Sequence, residues 1–471
     1  MRRYILLVLV LAVLGGWLAL RVSWGTTFTE GVVGQPVDLI PGQGPTNLVD
    51  ETLEKLLFRA LFRYNEAGEI ESDLAKEYRL SANGRIYTVT LEEAVWRDGR
   101  PITAADVSFT FTRDSAFADI TIEQEGEREI RFVLKNPLGS FLDILTRPIA
   151  PAHFREIGLT SLGSREFFIS GITQEGETVK EIAFKTTGSA QIKNLQFKFF
   201  KTGEDLIAGA RSGEIDGLVA DNFSDPSFTL YQTPIYSQYF AVFFNLESSN
   251  SLVKNSDFRR AAALKTPLFS EGSRVFGPLS GTWAQGKLSF PTYQKKRAEK
   301  FKGSLTITVA KAGSLPQIAQ EISRSWKDNL GITVNVDEVS ADAANGILQD
   351  RSFEAIILGQ ELERDPDRYN LWHSSAKDFP GQNISAYADP RADRALEEGR
   401  KAFSRSSRRK HYLNFQKLFV ENNPAIFLYH PKLSYWVNKK FVGPNLSGIF
   451  NFEERFWNFS GWRLPFSKTG E

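Results

Sequence analysis

The chain has 471 residues, room for about two to four domains of ~100–200 residues each. Its 57 lysines and arginines balance 56 aspartates and glutamates, so it lacks the basic excess of a nucleic-acid-binding protein. No cysteine is present, which excludes disulfides, thiolate metal sites, cysteine nucleophiles and a lipid-anchored cysteine.

The first element is an apolar run. Arg2 and Arg3 precede Tyr4 to Leu20, and Arg21 follows. As a helix this run spans ~25 Å, the short end of a membrane crossing. Positive charge before it keeps that end cytoplasmic and exports the rest. An uncleaved anchor and a cleaved signal peptide both fit, although "LALRVSWG" is a poor small-x-small cleavage site. Everything after about Ser23 is expected to form one extracytoplasmic body.

Residues 26–48 predict a short strand and a Gly/Pro loop. In "VDETLEKLLFRALFRYN", Leu53, Leu56, Leu57, Leu61 and Phe62 recur at helical spacing. "RIYTVTLEE", "VSFTFTR", "DITIEQEG" and "EIRFVLK" alternate with period two, as antiparallel strands do. "GSFLDILTRPIAPAHF" predicts a helix broken by Pro148 and Pro151. A strand at Leu195–Phe200, a helix at Gly203–Arg211 and a strand at Gly217–Ala220 make a βαβ signature. "YFAVFFNLES" predicts a strand and "SDFRRAAALKTPL" a helix. A second βαβ unit follows: "SLTITVAKAG", then a helix with Ile318, Ile322 and Trp326 on one face and Gly331 as its stop, then "ITVNVDEV". "FEAIILGQ", two more helices and the strand "PAIFLYHPKLSYWVN" close the series.

One stretch, "WRDGRPITAADVSFTF", carries more local design than the rest. Asp98-Gly99 is a turn dipeptide, and Thr103 to Asp106 has capping-box spacing. A helix start at Thr103 competes with the strand reading of "VSFTFTR". The pattern Trp-x-Asp-Gly-x-Pro-x-Thr-Ala-x-Asp-Val resembles the signature of extracytoplasmic solute-binding proteins, family 5, of peptide and nickel ABC transporters. "ARSGEIDGL", "FFNLESSNSLVKNSDFRRAAALKT", "RDPDRYNLWHSS", "NISAYADPRADRALEEGRK" and "YLNFQKLFVENNPAIFLY" are similar to that family's later elements in the same order, across roughly 30–445. The sequence departs from the pattern at "LGSREFFIS", where a Gly-Thr-Gly-Pro-Tyr element is eroded, after Arg260, and in its short 265–300 stretch.

The resemblance implies an α/β, two-lobed, periplasmic-binding-protein-like type II fold with an extra α+β domain, preceded by the N-terminal membrane helix. The expected divisions are 1–24 for the signal anchor or signal peptide, 25–48 with 166–245 and 441–471 for lobe I, 49–165 for the extra domain, and 246–440 for lobe II. It implies the substrate-binding component of an ABC importer, anchored by its N-terminal helix or released after cleavage. A peptide or peptide-like solute is trapped by hinge closure, and the expected partners are the permease and ATPase subunits, with the protein a monomer. A second reading is a membrane-anchored sensor or interaction protein that keeps the fold without import.

No Gly-x-Ser-x-Gly or His-Glu-x-x-His occurs, and His153, His373, His411 and His430 are scattered. No enzyme activity, metal or cofactor is expected. The densest polar loop, "GQELERDPDRYN", contains Gln360, Glu361, Glu363 and Asp365; it reads either as a solvated loop or as a cleft wall. In peptide-binding members an acidic residue just before the Asp-Pro pair holds the ligand's α-amino group. Alignment on Pro366 puts Leu362 at that position, and a shift of one residue puts Glu361 or Glu363 there; Glu361 is the first candidate. Trp283 is a candidate aromatic wall or a core residue, and Gln43 and Asn47 lie in the first Gly/Pro loop.

Overall fold

In the computed structural model, which describes residues 27–42, 47–188, 190–287, 294 and 299–465, backbone pairing gathers twelve strands into one sheet. The expected membrane helix lies outside the described residues, as does Gln43. Among the described residues no helix is long and apolar enough to cross a membrane.

Strand β1 (Thr27–Val33) leads to helix α1 (Leu48–Leu57). Six short strands follow: β2 (Phe62–Tyr64), β3 (Ile70–Ser72), β4 (Ala75–Leu80), β5 (Ile86–Leu91), β6 (Ile120–Gln124) and β7 (Glu129–Leu134). β2 and β3 form a ribbon, and β4-β5-β7-β6 form an antiparallel sheet. Helix α2 (Ala104–Arg113) stands between β5 and β6, so "VSFTFTR" is helical and not the strand its alternation suggests. The Asp106 carboxylate accepts the Thr103 N–H at 2.8 Å, which fixes the helix start. Ala104, Val107 and Phe111 then bury one helical face, and this outweighs the alternation. The expected helix at 139–154 is only one turn, α3 (Phe141–Ile144), before the two prolines.

The chain continues through β8 (Phe167–Glu175), β9 (Thr178–Thr186), β10 (Asn194–Phe200), helix α4 (Gly203–Ser212), β11 (Gly217–Val219), β12 (Phe228–Pro234) and β13 (Gln238–Phe244). The β8–β9 hairpin fills the eroded stretch, and no periodicity announced it. Helices α5 (Ser251–Lys254) and α6 (Ser256–Lys265) precede β14 (Gly272–Arg274) and β15 (Ser304–Ala310). Then come α7 (Leu315–Leu330), β16 (Thr333–Val339), α8 (Ala341–Gln349), β17 (Ala355–Glu361), α9 (Tyr369–Trp372), α10 (Pro390–Lys401), α11 (Arg405–Asn422) and β18 (Ala425–Asn438).

The large sheet runs β16-β15-β17-β13-β18-β11-β1-β10-β9-β8, with β12 and β14 also on β18. It is two sheets sharing one strand. The first half of β18, Ala425 to Tyr429, pairs with β13. The second half, Lys432 to Asn438, pairs with β12, and part of it with β11. A lobe therefore sits at each end of β18. The chain also crosses at Ile235–Ser237, between β12 and β13. There the Ile235 N–H donates to the Pro431 carbonyl at 2.8 Å, so the two crossings lie side by side.

Each lobe has its own core. Phe28, Leu53, Val89, Phe132, Leu195 and Trp462 belong to one continuous cluster, so residues 49–165 share a core with the lobe built on β1. In the other lobe, Ile318, Ile322 and Trp326 of α7 pack on β13, β15 and β17 as their spacing predicts, while Trp372, Phe415 and Phe419 cover the opposite face. Gly331 ends α7 at φ 77°, in the left-handed region that favours glycine.

A buried ionic knot ties the first lobe to the chain's end. Arg455 Nε donates to Glu30 Oε1 at 3.1 Å, and the Tyr435 hydroxyl donates to Glu30 Oε2 at 2.9 Å. None of the three is more than 1% exposed. Burial raises the Glu30 pKa above the usual carboxylate range, although Arg455 pulls it down.

Candidate functional site

A cavity of about 1790 Å³ opens between the two lobes. Helix α1 and the turn at 451–454 form one wall. Residues 361–370 and the end of α10 form the opposite wall, and the 49–165 unit closes a side.

β17 delivers the polar loop to this cavity. Glu361 is its last residue and pairs in register with Gln238 of β13. Glu361 and Glu363 are exposed on the cavity wall, separated by buried Leu362. Across from them, Leu53, Leu56 and Leu57 hold α1 to the core, and this turns Glu51, Glu54 and Lys55 to the cavity. Lys55 is ion-paired with Glu453 from the closing turn.

The cavity's electrostatics are unusual for so balanced a chain. The Glu51 carboxyl is pushed up to about 7 by burial and then by the charge of Glu453, with smaller repulsion from Glu361 and Glu363 on the other lobe. Glu54 is pushed up to about 8 by burial, then by Asp50, Asp38 and Glu51. Burial alone would lower the Lys55 pKa, but Glu453, Glu51 and Glu454 together raise it. These are the responses expected of charges held in a partly dry, acidic crevice.

An ion pair bridges the lobes. Arg364 donates to both carboxylate oxygens of Glu454, at 2.7 and 2.6 Å. Its guanidinium lies over the Tyr64 ring at 4.8 Å and the Phe450 ring at 5.0 Å. Glu454 also accepts the Phe450 N–H at 2.6 Å, so its position is fixed by the backbone. Farther along the rim, Arg405 pairs with Glu69 at 3.1 Å, and the Gly139 N–H donates to the Arg400 carbonyl at 2.7 Å.

The other residues singled out by sequence sit elsewhere or are already engaged. Asp365 is buried at the cavity's edge, where Arg408 donates to both its oxygens at 2.7 and 2.5 Å. Gln360 lies on the other side of its strand and is buried. It accepts from the Tyr239 hydroxyl at 2.6 Å and donates to the Gln382 carbonyl at 3.3 Å, outside the cavity lining. Trp283 is also outside the lining. Its ring packs under Arg405 and Arg408, whose guanidinium carbons lie 4.9 and 5.5 Å from its centroid. Asn47 is the N-cap of α1: its side chain accepts the Val49 and Asp50 N–H groups, both at 2.9 Å, and donates to the Gln35 carbonyl at 3.1 Å. Glu51, Glu54, Lys55 and Glu453 were not anticipated. The signal for the first three was present in the apolar stripe of α1, which leaves them on the opposite face, but nothing local says that a second lobe faces that side.

Of the histidines, His430 serves structure. His430 is held at about 4 by burial, between the Gln238 carbonyl at 2.7 Å and the Ser280 hydroxyl at 3.0 Å. Among the described residues, no group of three or more His, Asp or Glu side chains is arranged to hold a metal ion.

Comparison with known proteins agrees with this architecture. Residues 69–267 match the family model "Bacterial extracellular solute-binding proteins, family 5 Middle". The chain is 22% identical to the oligopeptide-binding protein AppA of Bacillus subtilis (strain 168), over 93% of this chain and 92% of that protein. Its fold is similar to that of AppA in complex with a nonapeptide, at TM-score 0.68 and 20% identity, covering 93% and 98% of the two chains. It is likewise similar to NikZ from Campylobacter jejuni in complex with Ni(L-His), at TM-score 0.70 and 21% identity, covering 93% and 99%. With its two lobes, its shared strand and its inter-lobe cavity, the chain is similar in sequence and fold to the bacterial extracellular solute-binding proteins, family 5, whose model it matches over residues 69–267.

Proposed function

We propose that this protein is the substrate-binding component of an ABC importer and holds a peptide-like solute between its lobes. The observation that carries the reading is the cavity itself, walled by Glu361 and Glu363 on one lobe and by α1 on the other. AppA, which shares the fold, is described with a nonapeptide bound. An ammonium group at Glu361 would make a charge-assisted hydrogen bond in a site partly shielded from water. Closure is a rotation of the lobes about the paired crossings at Ile235–Ser237 and Pro431. Only contacts made in the closed form and lost in the open one favour closure. The closed form is what the permease and its ATPase would receive. The apolar run at Tyr4–Leu20 would tether a monomeric receptor to the membrane, or be removed on export.

The test is calorimetric titration with short peptides, read beside small-angle scattering. A binding peptide should lower the radius of gyration. Glu361→Gln should weaken its binding by ~10–100-fold, the loss of one charged hydrogen bond of about 1.5–3 kcal/mol. Binding without compaction would refute closure, and unchanged affinity in Glu361→Gln would move the ammonium site elsewhere.

A further inference from the structure

The cavity's charge is as informative as its shape. Among the described residues, sixteen carboxylate residues line it against nine lysines and arginines, in a chain whose net charge is +1. All nine of those cations are ion-paired to carboxylates of the same lining. Lys55 is taken by Glu453, Arg364 by Glu454 and Arg400 by Asp367; Arg59 and Arg165 share Asp73, and Arg63, Lys135, Arg147 and Lys401 have partners of their own. Among the described residues no lining cation is left over for an acidic guest.

Several carboxylates are left over. Glu361 and Glu363 have no ion pair among the described residues, and neither does Glu51. Glu54 is the most telling. It is 5% exposed, lines the cavity, and its side chain has neither an ion pair nor a hydrogen bond among the described residues. A buried carboxylate without a partner is costly, and it is relieved either by holding a proton or by receiving a cation.

We infer that this cavity selects solutes carrying at least two cationic groups, one received by Glu361 and Glu363 on one lobe and another by Glu51 and Glu54 on α1. The inference rests on the binding-protein reading above and specifies its substrate class. Two such groups held on opposite lobes would also draw those lobes together. A basic peptide and a linear polyamine share this chemistry: protonated amines separated by several bonds.

The empty site uses protons in place of the guest. Glu54 is held up by burial and by Asp50, Asp38 and Glu51, with Lys55 opposing; Glu51 is held up by burial and by Glu453, Glu361 and Glu363, again with Lys55 opposing. A guest cation favours their ionised forms, so binding releases protons and strengthens as pH rises toward about 8.

The test titrates the purified protein with trilysine, trialanine, triglutamate and spermidine. Each titration is run at pH 5.5 and 8 in two buffers of different ionisation heat. Trilysine should bind at least ~10-fold tighter than trialanine, and triglutamate should give no heat. Trilysine binding should release protons and weaken at pH 5.5. In Glu54→Gln the trilysine-to-trialanine ratio should fall about 5-fold, with thermal melting confirming that the variant is folded. Spermidine matching trilysine would assign a polyamine, and trilysine alone a peptide; both support the inference. Trialanine binding as well as trilysine would overturn charge selection and leave the binding-protein reading standing. No heat from any of the four would overturn both.

Discussion

Replacing Glu54 with glutamine removes one ionisable group and keeps its shape. A carboxyl that titrates near 4.5 in the unfolded chain but is held at about 8 in the fold must give up favourable ionisation on folding. Below pH 4.5 both states are protonated and the residue costs nothing. As pH rises toward 8 the unfolded chain ionises first, so stability is progressively lost. The loss is ~3 kcal/mol at pH 7 and ~5 kcal/mol above about pH 9. At ~2.1 cal/mol/K per residue, unfolding a chain of this length gains about 1 kcal/mol/K in entropy. Glu54→Gln should therefore raise Tm by ~3 °C at pH 7 and ~5 °C at pH 9, with no gain at pH 4. Differential scanning calorimetry of both proteins across that range is the assay. Tm curves that run parallel from pH 4 to 9 would refute the claim that Glu54 is buried without a counter-charge.

Two further outcomes follow from the ionic contacts. Arg364→Ala removes both hydrogen bonds to Glu454 and should shift the lobes toward the open form by about 2 kcal/mol, ~30-fold in population, seen as a larger radius of gyration without ligand; an unchanged scattering curve would show that this bridge does not hold the lobes together. Arg455→Ala strands Glu30 in the first core and should cost ~3–5 kcal/mol, about 3–5 °C in Tm, growing as pH rises and the stranded carboxyl must ionise; a loss below ~1 °C would mean the knot is solvated.

The elements that sequence foretold best are those with one dominant periodicity and a clear stop. Helix α7 is the example, with Ile318, Ile322 and Trp326 in line and Gly331 behind them. Residues 107–113 show the opposite case: alternation argued for a strand, and one capping carboxylate, Asp106, settled a helix. The β8–β9 hairpin was invisible because its exposed half is polar and it contains Gly171 and Gly176, so the pairing is supplied by β10 rather than by an apolar pattern. At the site, family resemblance located Glu361 and Glu363 on the cavity wall. It could not separate them from Asp365 and Gln360, whose partners Arg408 and Tyr239 are distant in the chain. Glu51 and Glu54 look like ordinary solvated helix charges until the opposite lobe is in place. Asn47 and Trp283 fall in segments that border the cleft in the family the sequence resembles, but the structure uses them as a cap and as a seat for two guanidinium groups.

Strand β18 belongs to both halves of the molecule, and its neighbour crosses beside it. Two stitched ribbons resist shear and twist far better than a single flexible tether, so the proposed closure would be confined to a door-like swing about one line. Amplitude then grows with distance from that line: fluorophores placed near Lys432 would report almost nothing, while a pair at Glu69 and Arg405 on the outer rim would report the full travel. The same geometry suits the protein to use as a ratiometric sensor, because its signal is set by lever length rather than by changes at the seam.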